Sequence, residues 1–164
     1  MGQITSYNWS RNIYDTDQYV TELSAVLEGF TKLSQKNHGP LVVVAHSWGT
    51  VLAYIAISRN TKISVDKFVT LGSPLNAQSD LVKGFTNDTL ARWNIGSVTA
   101  LQNVKTWTNY WEGCDVISGS IDVLKKNNIT IDTNWRDEWG TCHEAYYQDY
   151  QIWQDVLAYV YLTK

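Results

Sequence analysis

The chain has 164 residues, 44% of them hydrophobic and 18% charged, a composition that excludes a disordered tail and a fibrous repeat. Thirteen Lys and Arg against sixteen Asp and Glu give a net charge of −3, so there is no surplus of positive charge to neutralise phosphates, and we expect no nucleic-acid partner. No apolar run reaches the ~20 residues of a membrane span. No signal peptide is visible either, so the cytoplasm is the default location.

The first half of the chain predicts strand, helix, strand and helix in turn. Residues 4–9 indicate a short strand, and residues 41–45 form a continuous apolar run, typical of a strand buried on both faces of a parallel sheet. Between them, residues 15–36 predict a helix whose apolar face recurs at steps of three and four: Tyr19, Val20, Leu23, Val26, Leu27, Phe30 and Leu33. Residues 50–58 are apolar nearly all round, which indicates a buried helix.

The second half repeats this alternation, so we predict one α/β domain over residues 1–164. Further strands are expected at residues 67–71, 104–110 and 129–131. A helix or two should occupy residues 75–103. A terminal helix from about residue 147 should bury one face, formed by Ile152, Trp153, Val156, Leu157 and Val160. Strands that alternate with helices pair in parallel, so we expect a mostly parallel sheet of about five strands flanked by helices.

A serine lies between the strand predicted at residues 41–45 and the buried helix, in the segment Ala45-His46-Ser47-Trp48-Gly49. On such a sharp strand-to-helix turn, the hydroxyl projects above the carboxyl edge of the sheet, and the dipole of the following helix favours developing negative charge. The small residues Ala45 and Gly49 allow the helix to approach the strand closely. The pattern predicts a nucleophile elbow with Ser47 as nucleophile; the alternative is a serine that caps an ordinary helix.

A serine nucleophile needs a base, and the base needs an acid that orients it. Asp115 follows the strand predicted at residues 104–110, which favours it as the acid over four competitors: Asp88, Asp122, Asp132 and Asp137. His143 is the expected base, because His46 adjoins the nucleophile and should be packed and hydrogen-bonded, and His38 precedes a turn and should be solvated. The chain order of serine, aspartate and histidine is the order found in α/β-hydrolases.

Four stretches of the chain resemble the α/β-hydrolase superfamily, and within it the branch of lipases and lecithin:cholesterol acyltransferase. They are SYNWSR (6–11), VVVAHSWGTVLAYIAI (42–57), LGSPL (71–75), and NYWEGCDVIS (109–118) with HEAYYQD (143–149). The resemblance implies a catalytic triad of Ser47, Asp115 and His143, with the backbone N–H of Trp48 as one oxyanion-hole donor. It also implies a reduced α/β-hydrolase fold, minimal or N-terminally shortened, since the superfamily usually has about eight strands and a loop that supplies a second donor.

The resemblance and the predicted site together indicate a lipase- or esterase-like serine hydrolase that cleaves a carboxylic ester, of a small molecule or a lipid, without a cofactor. Large amphipathic rings suit an apolar groove, so Trp9, Trp111 and Trp139 are candidate substrate-binding residues, although tryptophans fill a small core equally well. Two alternatives stay open. One is an acyltransferase with the same triad, and the other is a catalytically lapsed binding module that forms a homodimer through an exposed sheet edge.

The two cysteines, Cys114 and Cys142, each directly precede a predicted triad residue. If Asp115 and His143 are hydrogen-bonded, the cysteines come within the ~4.4–6.8 Å Cα spacing of a disulfide. Such a bridge would lock the acid loop to the base loop and indicate an oxidising, extracytoplasmic compartment. The alternative is a pair of buried free cysteines. Three histidines and two cysteines show no zinc-like spacing, so no metal site is expected.

Overall fold

The computed structural model of the chain describes residues 5–7, 15–131 and 139–162, without the side chains of residues 139–141. Within these ranges the α-helices are Thr16–Asn37 (α1), Trp48–Arg59 (α2), Asp80–Arg92 (α3), Trp139–Glu144 (α4) and Tyr150–Leu162 (α5). The strands are Val42–His46 (β1), Val65–Leu71 (β2), Val104–Trp111 (β3) and Asn128–Thr130 (β4). Short 3-10 helices cover Pro74–Asn76, Asp122–Asn127 and Ala145–Gln148.

The strands form one parallel sheet in the order β1-β2-β3-β4. The predicted α/β class with a parallel sheet is confirmed, and the sheet of the described residues has four strands where about five are predicted. The strand predicted at residues 4–9 falls largely outside the described residues, and residues 5–7 form no strand. Because all the strands run the same way, β1, β2 and β3 end at one edge, where Ser47, Gly72 and Glu112 follow them.

Helices cover both faces of the sheet. On one face, buried side chains of α1 and α2 pack with the strands around Phe68 and Trp107. On the other face, Ile152 and Val156 of α5 pack on β2 and β3. Residues 50–57 of α2 are all buried, as their apolar sequence predicts. None of the helices described here has both the length and the apolarity to cross a bilayer.

Two predicted burials are wrong, both at the margins of the packed layers. The sequence predicts that β1 is buried on both faces, yet Val44 is 36% exposed. The cause is that β1 pairs with β2 alone among the described strands, and α5 packs mainly over β2 and β3. The sequence also places Leu157 on the buried face of the terminal helix, yet it is 50% exposed. The buried residues of α5 are Ile152 and Val156, and Leu157 lies about 100° further round the helix than Val156.

Candidate active site

Ser47 lies on the sharp turn between β1 and α2, in a backbone conformation that few residues adopt. Its φ is 53° and its ψ is −134°, and strain of this kind in a residue with a Cβ costs ~1–3 kcal/mol. The Ser47 amide donates to the carbonyl of Leu71 (3.0 Å), and the Thr50 amide donates to the carbonyl of Ser47 (2.9 Å). The neighbouring strand and the first turn of α2 therefore hold the predicted nucleophile elbow in place.

His143, in the short helix α4, bridges the serine and the aspartate. Its Nε2 lies 2.7 Å from Ser47 Oγ, and its Nδ1 lies 2.9 Å from Asp115 Oδ2. A carboxylate only accepts, so Nδ1 carries a proton, and in the neutral ring Nε2 is then the acceptor for the serine hydroxyl. The Ser47 side chain makes no capping bond to α2, which removes the support for the helix-capping alternative. The structure thus brings the three predicted triad residues into one hydrogen-bonded chain.

Asp115 is 2% exposed, and its carboxylate is surrounded by donors. Oδ2 accepts from His143 and from the Tyr146 hydroxyl (2.8 Å), and Oδ1 accepts from the amide of Ile117 (3.1 Å). Burial raises the pKa of Asp115, but the hydrogen bond and charge of His143 and the bond from Tyr146 outweigh it, so the pKa lies below its usual value. The acid therefore stays ionised at neutral pH, as a carboxylate that orients an imidazole must.

Tyr146 is a member of the site that the sequence analysis missed. Its ring is fully buried, and its hydroxyl lies 2.8 Å from Asp115 Oδ2 and 3.0 Å from Ser118 Oγ. Burial, together with the charge of Asp115, raises the pKa of Tyr146, so the hydroxyl keeps its proton and donates to the carboxylate. The segment HEAYYQD could have indicated this role, because Tyr146 follows His143 by three positions and residues with that spacing lie on the same side of a helical turn.

Gly72, in the LGSPL segment, lets the backbone of the sheet edge approach the triad. Its φ is +56°, and a Cβ placed there would lie 2.8 Å from Tyr146 Cε2 and 3.2 Å from both Asp115 Oδ2 and His143 Cε1. Both the left-handed backbone and the lack of space require glycine at this position. The acid and the base therefore rest directly on the end of β2.

Ser73, the next residue of the same segment, supports the elbow from inside the core. Its hydroxyl lies 2.7 Å from Thr50 Oγ1, and both side chains are buried. Thr50 gives its own hydroxyl proton to the carbonyl of Ser47 (2.7 Å), so Ser73 is the donor in the Ser73–Thr50 bond. This chain of hydroxyls connects LGSPL to the backbone of Ser47.

The other two histidines behave as the sequence predicts. His46 is packed and hydrogen-bonded, with Nε2 2.7 Å from the backbone carbonyl of His143. His38 is exposed and ends α1 in a left-handed conformation. Neither has a described hydrogen bond to Ser47 Oγ, whose described partner is His143 Nε2.

A disulfide joins Cys114 to Cys142, with their Cα atoms 6.1 Å apart. The hypothesis of a bridge between the acid loop and the base loop is therefore confirmed, and the alternative of two free thiols is wrong. The carboxylate of Glu112 and the two sulfurs all lie within 4.8 Å of one another. Sulfurs bonded to each other offer no thiolate, so this cluster lacks the ligands that a metal ion needs.

Trp48 and Trp111 lie at the sheet edge that carries the triad. Trp48 is the first residue of α2, so its amide has no acceptor within the helix, which suits the predicted oxyanion donor. Its indole packs on the α1 and α2 side of the core, and the buried Nε1 has no partner among the described residues. Trp111 ends β3 and is half-buried. Trp9 and the side chain of Trp139, the other predicted substrate contacts, lie outside the described residues.

Two surface clefts lie away from the triad. One is lined by residues at the start of β3 and in the 3-10 helix Asp122–Asn127, and the other by α1, Arg59 and Trp93. No triad residue lines either cleft, so neither coincides with the predicted substrate site.

Comparison with protein-family models, with curated proteins and with solved structures finds no match for the chain. What this site does is therefore inferred from its own geometry and chemistry.

Proposed function

We propose that the chain is a serine hydrolase with a reduced α/β-hydrolase fold, which cleaves a carboxylic ester through an acyl-enzyme. The observation that carries the proposal is the unbroken chain of hydrogen bonds from Asp115 through His143 to Ser47, with distances of 2.9 and 2.7 Å. The strained turn at Ser47 adds weight, since residues in rare backbone conformations concentrate at functional sites. The resemblance of the sequence to lipases and lecithin:cholesterol acyltransferase agrees with this chemistry.

The proposed reaction uses each triad atom in the place where it lies. His143 Nε2 takes the hydroxyl proton as Ser47 Oγ attacks the ester carbonyl, and Asp115 holds Nδ1–H and stabilises the imidazolium that forms. The Trp48 amide and the N-terminus of α2 would bind the negative oxygen of the tetrahedral intermediate. His143 then returns the proton to the leaving alcohol, and a water molecule, activated by the same histidine, releases the acid from Ser47.

For the substrate, we propose an ester with an apolar acyl or alcohol part, from a small molecule or a lipid. Trp111 ends β3 at the edge where the triad lies, and a large amphipathic ring of this kind suits apolar groups. In the described contacts no carboxylate, ammonium or guanidinium group contacts Ser47 Oγ, whose partner is His143 Nε2, which agrees with an uncharged carbonyl as the reacting group.

The test is the intact mass of the protein after exposure to a fluorophosphonate, which reports an activated serine without the natural substrate. We expect one adduct on the wild type, none on Ser47→Ala, and one on Ser97→Ala, which removes an exposed serine of a loop. Nitrophenyl esters of increasing chain length then define the acyl preference. An unlabelled but folded wild type, or a labelled Ser47→Ala variant, would overturn the proposal.

A further inference from the structure

His46, which directly precedes the nucleophile, binds the backbone of the base. Its Nε2 lies 2.7 Å from the carbonyl oxygen of His143, 97 residues away in sequence. A carbonyl oxygen only accepts, so His46 Nε2 must carry a proton and donate it. The contact therefore defines the tautomer of His46 and ties the residue before Ser47 to the residue that deprotonates Ser47.

The surroundings of His46 keep its ring in one place and uncharged. Its ring centroid lies 4.8 Å from that of His143 on one side and 4.8 Å from that of Tyr147 on another. Burial lowers the pKa of His46, and the electrostatic effect of the His143 side chain lowers it too. The hydrogen bond to the His143 carbonyl and the negative charges of Asp115 and Glu144 raise this pKa, but the net shift is downward. At pH 7 the neutral ring donates through Nε2, and it places no cation against the imidazolium that forms on His143 during turnover.

The helix that carries His143 is short. α4 has six residues and leads at once into the 3-10 helix Ala145–Gln148. Its position depends on side-chain contacts at Cys142 and Tyr146, on either side of the base. Among the described contacts, the bond from His46 reaches the backbone of His143 itself.

We propose that His46 is a positioning residue of the hydrolase proposed above, whose Nε2–H holds the backbone of His143 so that the imidazole meets Ser47 Oγ. The inference rests on that proposed function. β1 ends at His46 and Ser47 follows it, so one rigid strand carries both the nucleophile and the donor that sets the base. The 2.7 Å Ser47–His143 distance is then governed by neighbouring residues of a single element.

Two substitutions separate the donor from the ring. His46→Phe keeps a ring but loses the donor, whereas His46→Gln loses the ring but offers an amide N–H in its place. We expect His46→Phe to lower the rate constant for fluorophosphonate labelling of Ser47 about 10- to 100-fold, because small displacements of a catalytic group cost that much. His46→Gln should stay within about threefold of the wild type if its amide restores the bond.

The control is His38→Asn, which replaces an exposed histidine at a left-handed helix end, a conformation that asparagine tolerates. It should label like the wild type. All labelling rates are compared under conditions in which urea unfolding shows each variant to be folded, which separates positioning from folding. Labelling of His46→Phe at the wild-type rate would overturn the proposal. So would an equal loss of labelling rate in folded His46→Gln and folded His46→Phe.

A second measurement does not depend on activity. Nitrogen-15 spectra of the histidine rings at neutral pH should show His46 as the Nε2–H tautomer, and the His143 signals should shift in His46→Phe but not in His38→Asn. An Nδ1–H tautomer at His46 would overturn the proposal. If the wild type fails to label while these spectra are as expected, the hydrolase proposal fails and the His46–His143 contact stands.

Discussion

The two halves of the candidate site are held in place in different ways. The nucleophile half, which consists of β1, Ser47 and α2, is built from regular elements whose backbone bonds and buried apolar side chains set its position. The acid–base half, residues 112–118 and 142–146, is made of loops and short helical turns. It is held by a disulfide, by the bond from Tyr146 to Asp115 and by the bond from His46 to His143. The comparison indicates that Ser47 is placed by local folding, and that Asp115 and His143 are placed by cross-links between distant segments.

The strongest test of this comparison is Gly72→Ala, at the point where the two halves meet. The new Cβ would lie 2.8 Å from Tyr146, on a backbone with φ of +56°. We expect the acid–base half to move outward, lowering the labelling rate of Ser47 about 100-fold and the free energy of unfolding by ~2 kcal/mol. Labelling kinetics and urea unfolding measure both effects.

The matched control for that change is Gly84→Ala, in α3, where a Cβ would meet no atom within 4 Å. Alanine in the middle of an exposed helix should raise the free energy of unfolding by ~0.5–1 kcal/mol and leave labelling unchanged. If Gly72→Ala labels at the wild-type rate, the two halves are not tightly packed at Gly72.

Removal of the disulfide should loosen one half and spare the other. Replacement of Cys114 and Cys142 by serine opens a cross-link between residues 28 apart in sequence, which should cost ~3 kcal/mol of stability. In hydrogen exchange, we expect amides of residues 142–146 to exchange faster, with little change in α2 beyond the global loss of stability. Equal acceleration in both halves would contradict the division.

Tyr146→Phe should destabilise the protein by an amount that depends on pH. The variant loses a buried bond to a carboxylate, worth ~2 kcal/mol of unfolding free energy at pH 7. The pKa of Asp115 is lowered in the fold, so the stabilisation from the ionised acid is complete above its unfolded pKa of ~3.9 and is lost as the pH falls through the lower folded value. The difference between wild type and variant should therefore shrink below pH 4.

Urea unfolding of both proteins at pH 7 and at pH 3 measures this difference. Tyr150→Phe, which changes a tyrosine that is 72% exposed, is the control and should be neutral at both pH values. A pH-independent difference for Tyr146→Phe would show that the hydroxyl does not stabilise the ionised form of Asp115.

The sequence by itself determined the local features of the nucleophile half. The apolar run before Ser47 and the all-round apolar helix after it predicted β1 and α2, and the serine between them predicted the elbow. Patterns of this kind are read from neighbours along the chain, and burial of their apolar groups supplies the stabilisation. Chain order and strand position also pointed to Asp115 and His143.

Only the tertiary structure decided what surrounds those residues. Tyr146 contacts Asp115 across 31 residues of sequence, and Gly72 lies against Asp115 across 43. His46 contacts His143 across 97 residues. Periodic patterns along the chain do not predict contacts over such separations. The disulfide stayed one of two alternatives until the loops were placed. The exposure of Val44 and Leu157 was likewise decided by which element covers which, because amphipathic patterns tell how apolar a face is but not how far its covering layer extends.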